Sequence, residues 1–209
     1  MALETWLGFL LASTAILILP GPTVLLVLSI ALSQGRRVAL ATGAGAVLGG
    51  FVTFSATLGG LGAVVLGSAA LFTVLKWVGV AYLVWLGLRL ILSAPKASLA
   101  LPAAGGVDLR RGFAHGVAVT ALNPKSIAFF IAFVPQFLDP MRSYLTQASV
   151  MVPSYVTLAV INVLGYTLLA DTLRMRLLRP SVLPWIARMG GISLIGMGML
   201  TATVSRVGP

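Results

Sequence analysis

The chain has 209 residues, of which 59% are hydrophobic and only 9% charged, with a mean hydropathy of +1.06. An ordinary soluble domain carries about 25% charged residues, so this chain lacks the polar sequence to cover a soluble globule. A soluble enzyme, a disordered segment and a disulfide scaffold are excluded, and the chain reads as an integral membrane protein. The formal charge of +10 lies in short clusters between apolar stretches, Arg36-Arg37, Arg110-Arg111 and Arg174/Arg176/Arg179. That is the loop pattern of membrane proteins and not a nucleic-acid-binding face. The absence of cysteine excludes disulfides, thiolate metal sites and thiol catalysis.

A membrane-spanning helix needs about 20 mostly apolar residues. Thr5 to Gly35 carries no charge and forms the first expected span. The Met1-Ala2-Leu3-Glu4 before it lacks the basic start of a signal peptide, so the segment is expected to stay as a membrane helix. Val38 to Leu75 is uncharged but too long for one span. Its Gly59, Gly60, Gly62 and Gly67-Ser68 mark the expected turn between a second helix near 39–65 and a third near 71–92. Lys76 lies close enough to the end of the third to snorkel. Residues 93–112 form a polar linker that divides the chain almost in half. Phe113–Leu138, Tyr144–Ala170 and about Pro184–Val204 follow as spans four to six, with Asp139-Pro140 and Arg179-Pro180 at boundaries where proline removes a backbone donor.

The expected fold is therefore all-α, with six transmembrane helices arranged as two inverted three-helix repeats. Residues 1–92 form the first repeat, 93–112 a cytoplasmic linker and 113–209 the second repeat. Basic residues crowd cytoplasmic loops. Loops one, three and five, with Arg89 and Arg188 at flanking helix ends, hold ten basic residues; the opposite side holds Lys76, Arg142 and Arg206. Ten against three places both termini in the periplasm. Three spans per half then force the halves into opposite orientations.

Two spans are interrupted. The first contains Leu19-Pro20-Gly21-Pro22 near its middle, and the fourth contains Leu122-Asn123-Pro124-Lys125. Each proline strips the donor from a carbonyl one turn back, which leaves Ile16, Ile18 and Thr120 unpaired. Inside a bilayer such backbone must be satisfied by protein or a water-lined cavity. Pro22 is followed twelve residues on by Gln34, and Pro124 twelve residues on by Gln136, a register that suggests duplication. Broken helices at matching points of inverted halves point to a transporter's midplane site, here formed by Pro20, Gly21, Pro22, Thr23, Asn123, Pro124 and Lys125. Two bent helices that merely pack would have the same sequence.

Lys125 is costly at the bilayer centre, about 2.5–3.5 kcal/mol on insertion scales. Glu4, Asp108, Asp139 and Asp171 all fall at helix ends or in the linker. Lys125 either ties down the carbonyls that the prolines free, or meets a substrate carboxylate or cycles a proton; both roles are compatible. Asp171, at the end of the fifth span, is a weaker coupling candidate. Thr53, Gln34, Gln136 and Asn162 are candidate cavity-lining groups, with Tyr155 and Tyr166 as polar handles of the fifth span. His115 reads as an interfacial residue. Seven glycines between Gly43 and Gly62 signal close backbone packing. Among the spans there is neither a Ser-His-Asp or paired-carboxylate set nor a metal-ligand cluster, so no enzyme, metal or cofactor is expected.

At these residues the chain resembles the lysine-exporter (LysE) family, in its homoserine/threonine-resistance branch. The resemblance covers essentially the whole length. It rests on Leu-Pro-Gly-Pro at 19–22, Gln-Gly-Arg-Arg at 34–37, Leu-Lys-Trp-Val-Gly-Val-Ala-Tyr-Leu-Val-Trp-Leu-Gly at 75–87, Leu-Asn-Pro-Lys at 122–125 and Pro-Gln-Phe at 135–137. It implies an exporter of amino acids in the bacterial inner membrane, driven by the proton gradient. Family members often carry Asp or Asn after the first Pro-Gly-Pro, where this chain has Thr23. Many have a polar or ionisable residue midway along the second helix, where it has Thr53 and Ser55. With no carboxylate inside a span, a neutral substrate of the threonine, homoserine or branched-chain kind is expected over a basic one. The lipid bilayer is the other partner, and a homodimer is compatible with the sequence. The competing class is a membrane scaffold using the glycine-rich helix, or an exporter of a basic amino acid or another small solute.

Overall fold

The structure, a computed structural model, describes residues 1–19, 21–67, 69–93, 107–139, 141–177 and 182–203. These are helical, with no strand among them. In chain order they form α1 Leu3–Ile18, α2 Pro22–Gln34, α3 Arg36–Gly67, α4 Ala69–Ser93, α5 Leu109–Ala121, α6 Pro124–Phe133, α7 Tyr144–Leu177 and α8 Val182–Thr203. A 3-10 turn, Val134–Phe137, continues α6.

Both expected breaks are present. α1 and α2 meet at 51°, α5 and α6 at 42°. By length and composition, α3 over Arg36–Gly60 and α7 over Tyr144–Ala170 can each cross a bilayer, and each bent pair passes the same test when taken together. The third and sixth expected spans fall on α4 and α8.

The expected second and third helices, near 39–65 and 71–92, correspond to α3, which ends at Gly67, and α4, which begins at Ala69. One boundary differs from expectation. The linker foreseen to 112 ends earlier, since α5 starts at Leu109. The Asp108 carboxylate caps it, accepting from Arg111 N at 2.7 Å, and so supplies the partner that a first-turn N–H lacks. Pro140 and the Arg179-Pro180 pair lie outside the described residues.

The most extensive helix–helix packing, α3 on α5, α4 on α8 and α3 on α7, runs between the two halves of the chain. Glycines make the first two possible. A β-carbon at Gly45 would strike the Phe113 carbonyl, and one at Gly116 the Thr42 carbonyl. Gly87 and Gly191 oppose each other, each against the other's carbonyl oxygen. On one side of the breaks a cluster of rings fills the interior. Phe54 lies 4.8 Å from Phe130 and 4.9 Å from Tyr155 between ring centroids, and Phe9 lies 5.7 Å from Phe137.

Candidate functional site

At the first break, Gly21 is the extended N-cap of α2 and Pro22 its first helical residue, the position where a missing N–H costs nothing. The end of α1 is left with surplus carbonyls. Leu19 N–H takes Ala15 O at 3.2 Å. Lys125 Nζ, reaching from α6, donates to Ile16 O at 2.9 Å and to Leu19 O at 2.7 Å. Tyr166 Oη, from α7, donates to Ile18 O at 2.7 Å. Both carbonyls stripped by the first-break prolines are thus satisfied by side chains from the second half.

The second break is closed mostly from within. Asn123 caps α6 by accepting from Lys125 N at 3.0 Å, and Pro124 occupies the first helical position. Thr120 O, which Pro124 would have left unpaired, accepts from Asn123 N at 3.2 Å. Thr53 Oγ1, from α3, lies 3.0 Å from Ala121 O and 2.9 Å from Gly49 O, in reach to donate to either. The breaks also touch directly. Thr23 Oγ1 and Thr120 Oγ1 are 3.1 Å apart, and Asn123 Nδ2 donates to Thr23 Oγ1 at 3.3 Å.

Lys125 is buried, with its stem against Gly21: a β-carbon there would come within 3.1 Å of Nζ and 3.2 Å of Cε. The ion pair among the described residues, Arg142 with Asp139 at 3.2 Å, is exposed and lies elsewhere. The lysine ammonium is therefore held by backbone dipoles alone, a carbonyl cage that suits an amine.

Two spaces flank this cage. One, of about 40 Å³, lies among Thr23, Thr120, Asn123, Lys125, Tyr155 and Asn162. That is room for a water or two, since each water takes about 30 Å³ of the liquid. The other, of about 190 Å³, is bounded by Gly21, Pro22, Asn123, Pro124 and Lys125 from the breaks and by Leu86, Arg89 and Ser93 of α4. It has room for a molecule of amino-acid size.

The structure brings Gly21, Pro22, Thr23, Thr53, Asn123, Pro124, Lys125 and Asn162 together around the breaks. It does not bring in Gln34, whose Oε1 accepts from Val107 N at 3.4 Å at the far end of α2. Nor does it bring in Gln136, whose Nε2 donates to Ala132 O at 3.0 Å in the preceding turn. Pro20 lies outside the described residues, and Asp171 falls on α7 beyond its last described side chain. His115 is exposed on α5. Sequence reasoning did not select Thr120, Leu86 or Arg89. For α4 the signal was available: Leu86, Arg89 and Ser93 recur at helical spacing, so that one arginine shares a face with a cavity wall.

The description LysE type translocator matches residues 14–205 of the chain. An uncharacterized membrane protein of Vibrio cholerae is 36% identical over 97% of this chain and 98% of its own. The homoserine/homoserine lactone efflux protein of Salmonella typhimurium is 29% identical, with the same coverage. The leucine efflux protein of Enterobacter sp. is 27% identical over 59% of each chain. No solved structure matches.

Proposed function

The chain belongs to the LysE type translocator family, and we propose that within it this protein is a secondary exporter of neutral amino acids, working by proton antiport across the bacterial inner membrane. Six spans in two inverted halves of three carry it, with both termini periplasmic on the ten-to-three basic count. The relatives named for homoserine/homoserine lactone efflux and for leucine efflux support a substrate with an α-amino group and an uncharged side chain. The absence of any Asp or Glu among the described residues lining either space at the breaks supports the same reading, because a cationic side chain would be buried there without a counter-charge.

One observation carries the proposal: the Lys125 ammonium rests on Ile16 O and Leu19 O where the two broken helices meet, next to a cavity of about 190 Å³. A substrate's α-ammonium has the same chemistry as that lysine head. On loading, the substrate ammonium takes over the two carbonyls, and Lys125 swings to the substrate carboxylate. Neither charge is left uncompensated during the exchange. In this topology Arg89 and Ser93 lie toward the cytoplasm, so the larger cavity is the loading side. The Phe9, Phe54, Phe130, Phe137 and Tyr155 rings lie toward the periplasm and form the closed outer gate. Return of the empty carrier moves a proton on Lys125, linking flux to the gradient.

Efflux from cells loaded with dipeptides, measured across a panel of released amino acids, tests this. Export of threonine, homoserine or leucine is expected. Robust export of lysine without flux of any neutral amino acid would overturn the substrate class.

A further inference from the structure

The loading cavity carries a second cation besides Lys125. Arg89, exposed and one turn from the end of α4, lines the same cavity as Lys125. Its guanidinium carbon sits 5.4 Å from the centroid of the Trp85 ring, which engages the face of the guanidinium. The in-plane N–H fork remains, and that fork matches a carboxylate in a bidentate way. Among the described residues no Asp or Glu lines the cavity, and the Asp139–Arg142 pair accounts for the ion pairing among them. Two cations facing one space without an acid call for an anion on the occupant.

We propose that Arg89 is the specificity-determining carboxylate anchor of this cavity, so that, in contrast to the Salmonella typhimurium relative named for homoserine lactone as well as homoserine, the protein takes amino acids with a free α-carboxylate and excludes their lactones and amides. The proposal rests on the transport reading above and sharpens it. The substrate enters with its carboxylate on the Arg89 fork and its ammonium toward the Ile16 and Leu19 carbonyls, then passes the carboxylate to Lys125 as that lysine is displaced. A lactone or an amide offers the same ammonium and a similar volume, but no anion for either cation. A lipid-facing arginine that only snorkels to headgroup phosphates would make no such distinction.

The test is calorimetric binding to the purified full chain in phosphatidylcholine nanodiscs, using L-homoserine, L-homoserine lactone, L-leucine and L-leucinamide. Wild type is expected to bind each acid about tenfold or more tighter than its lactone or amide, the value of losing a charge-assisted hydrogen-bonded pair. Arg89→Gln should collapse that ratio to about one to threefold, and Arg89→Lys should restore part of it. Because the ratio is internal to each variant, a general loss of active protein does not imitate the effect. Equal binding of acid and lactone by wild type would overturn the anchor, as would an Arg89→Gln variant that weakens all four ligands by the same factor. Either result leaves amino-acid export standing. Failure of wild type to bind any of the four would sink the export reading itself, and the anchor with it.

Discussion

Replacement of Lys125 by Met keeps the length and apolar volume of the side chain and deletes its donors and its charge. Two buried carbonyls, Ile16 O and Leu19 O, lose partners held at 2.9 and 2.7 Å. At about 1–3 kcal/mol each, that is about 2–6 kcal/mol against the folded protein. Removing a lysine from the bilayer centre returns about 2.5–3.5 kcal/mol on insertion scales. At their midpoints the opposing terms nearly offset, leaving a net destabilisation of about 1 kcal/mol. For a chain of this size that lowers the melting temperature by only a few degrees. Lys125→Met is therefore expected to fold, to elute as wild type does, and to melt a few degrees lower in a fluorescence-detected size-exclusion assay. Its export should nevertheless fall by at least tenfold and lose its dependence on the pH gradient. Full gradient-driven export by the well-folded variant would refute a role in the cycle. Collapse of folding would refute the ledger and make the lysine chiefly a structural tie.

Three further outcomes follow from the same contacts. Tyr166→Phe leaves Ile18 O without the 2.7 Å donor and disturbs no charge, so chemical unfolding should show a loss of about 1 kcal/mol with export retained. Gly45→Ala and Gly116→Ala would drive a methyl group into the facing backbone of α5 and α3 and should cost about 1–3 kcal/mol by overpacking. Gly59→Ala, with nothing within 4 Å of the added carbon, should instead gain about 0.5–1 kcal/mol of helix stability. Melting curves of the three variants side by side check the contrast. For topology, Ser98→Cys should be labelled by an impermeant maleimide only in inverted vesicles and Ser205→Cys only in intact cells; the reverse pattern would overturn the proposed orientation.

The helical class and the two breaks were legible because they rest on local chemistry: apolar length makes helices in a bilayer, and proline removes a donor wherever it stands. The carbonyls left over at Ile16, Ile18 and Thr120 could be named from spacing alone. Which groups would satisfy them could not. Lys125 and Tyr166 lie more than a hundred residues from α1, and their arrival depends on how α6 and α7 pack. Thr120, by contrast, found its donor in Asn123 N, three residues on. The glycine run of α3 announced close packing, while its individual partners, Phe113 against Gly45 and Val117 against Gly49, needed the helix register. Gln34 and Gln136 matched in spacing but face their own surroundings, because equal distance from a proline does not place two side chains on one cavity.

On the proposed mechanism the two broken helices build a pathway for neutral amino acids coupled to protons. Efflux from proteoliposomes containing only this protein, loaded with radiolabelled threonine, leucine or lysine and subjected to an imposed pH gradient, tests this without any other component. Threonine or leucine flux should rise with the gradient and vanish when an ionophore collapses it, with little lysine flux. Liposomes that retain all three amino acids regardless of the gradient, or that release lysine alone, would contradict it.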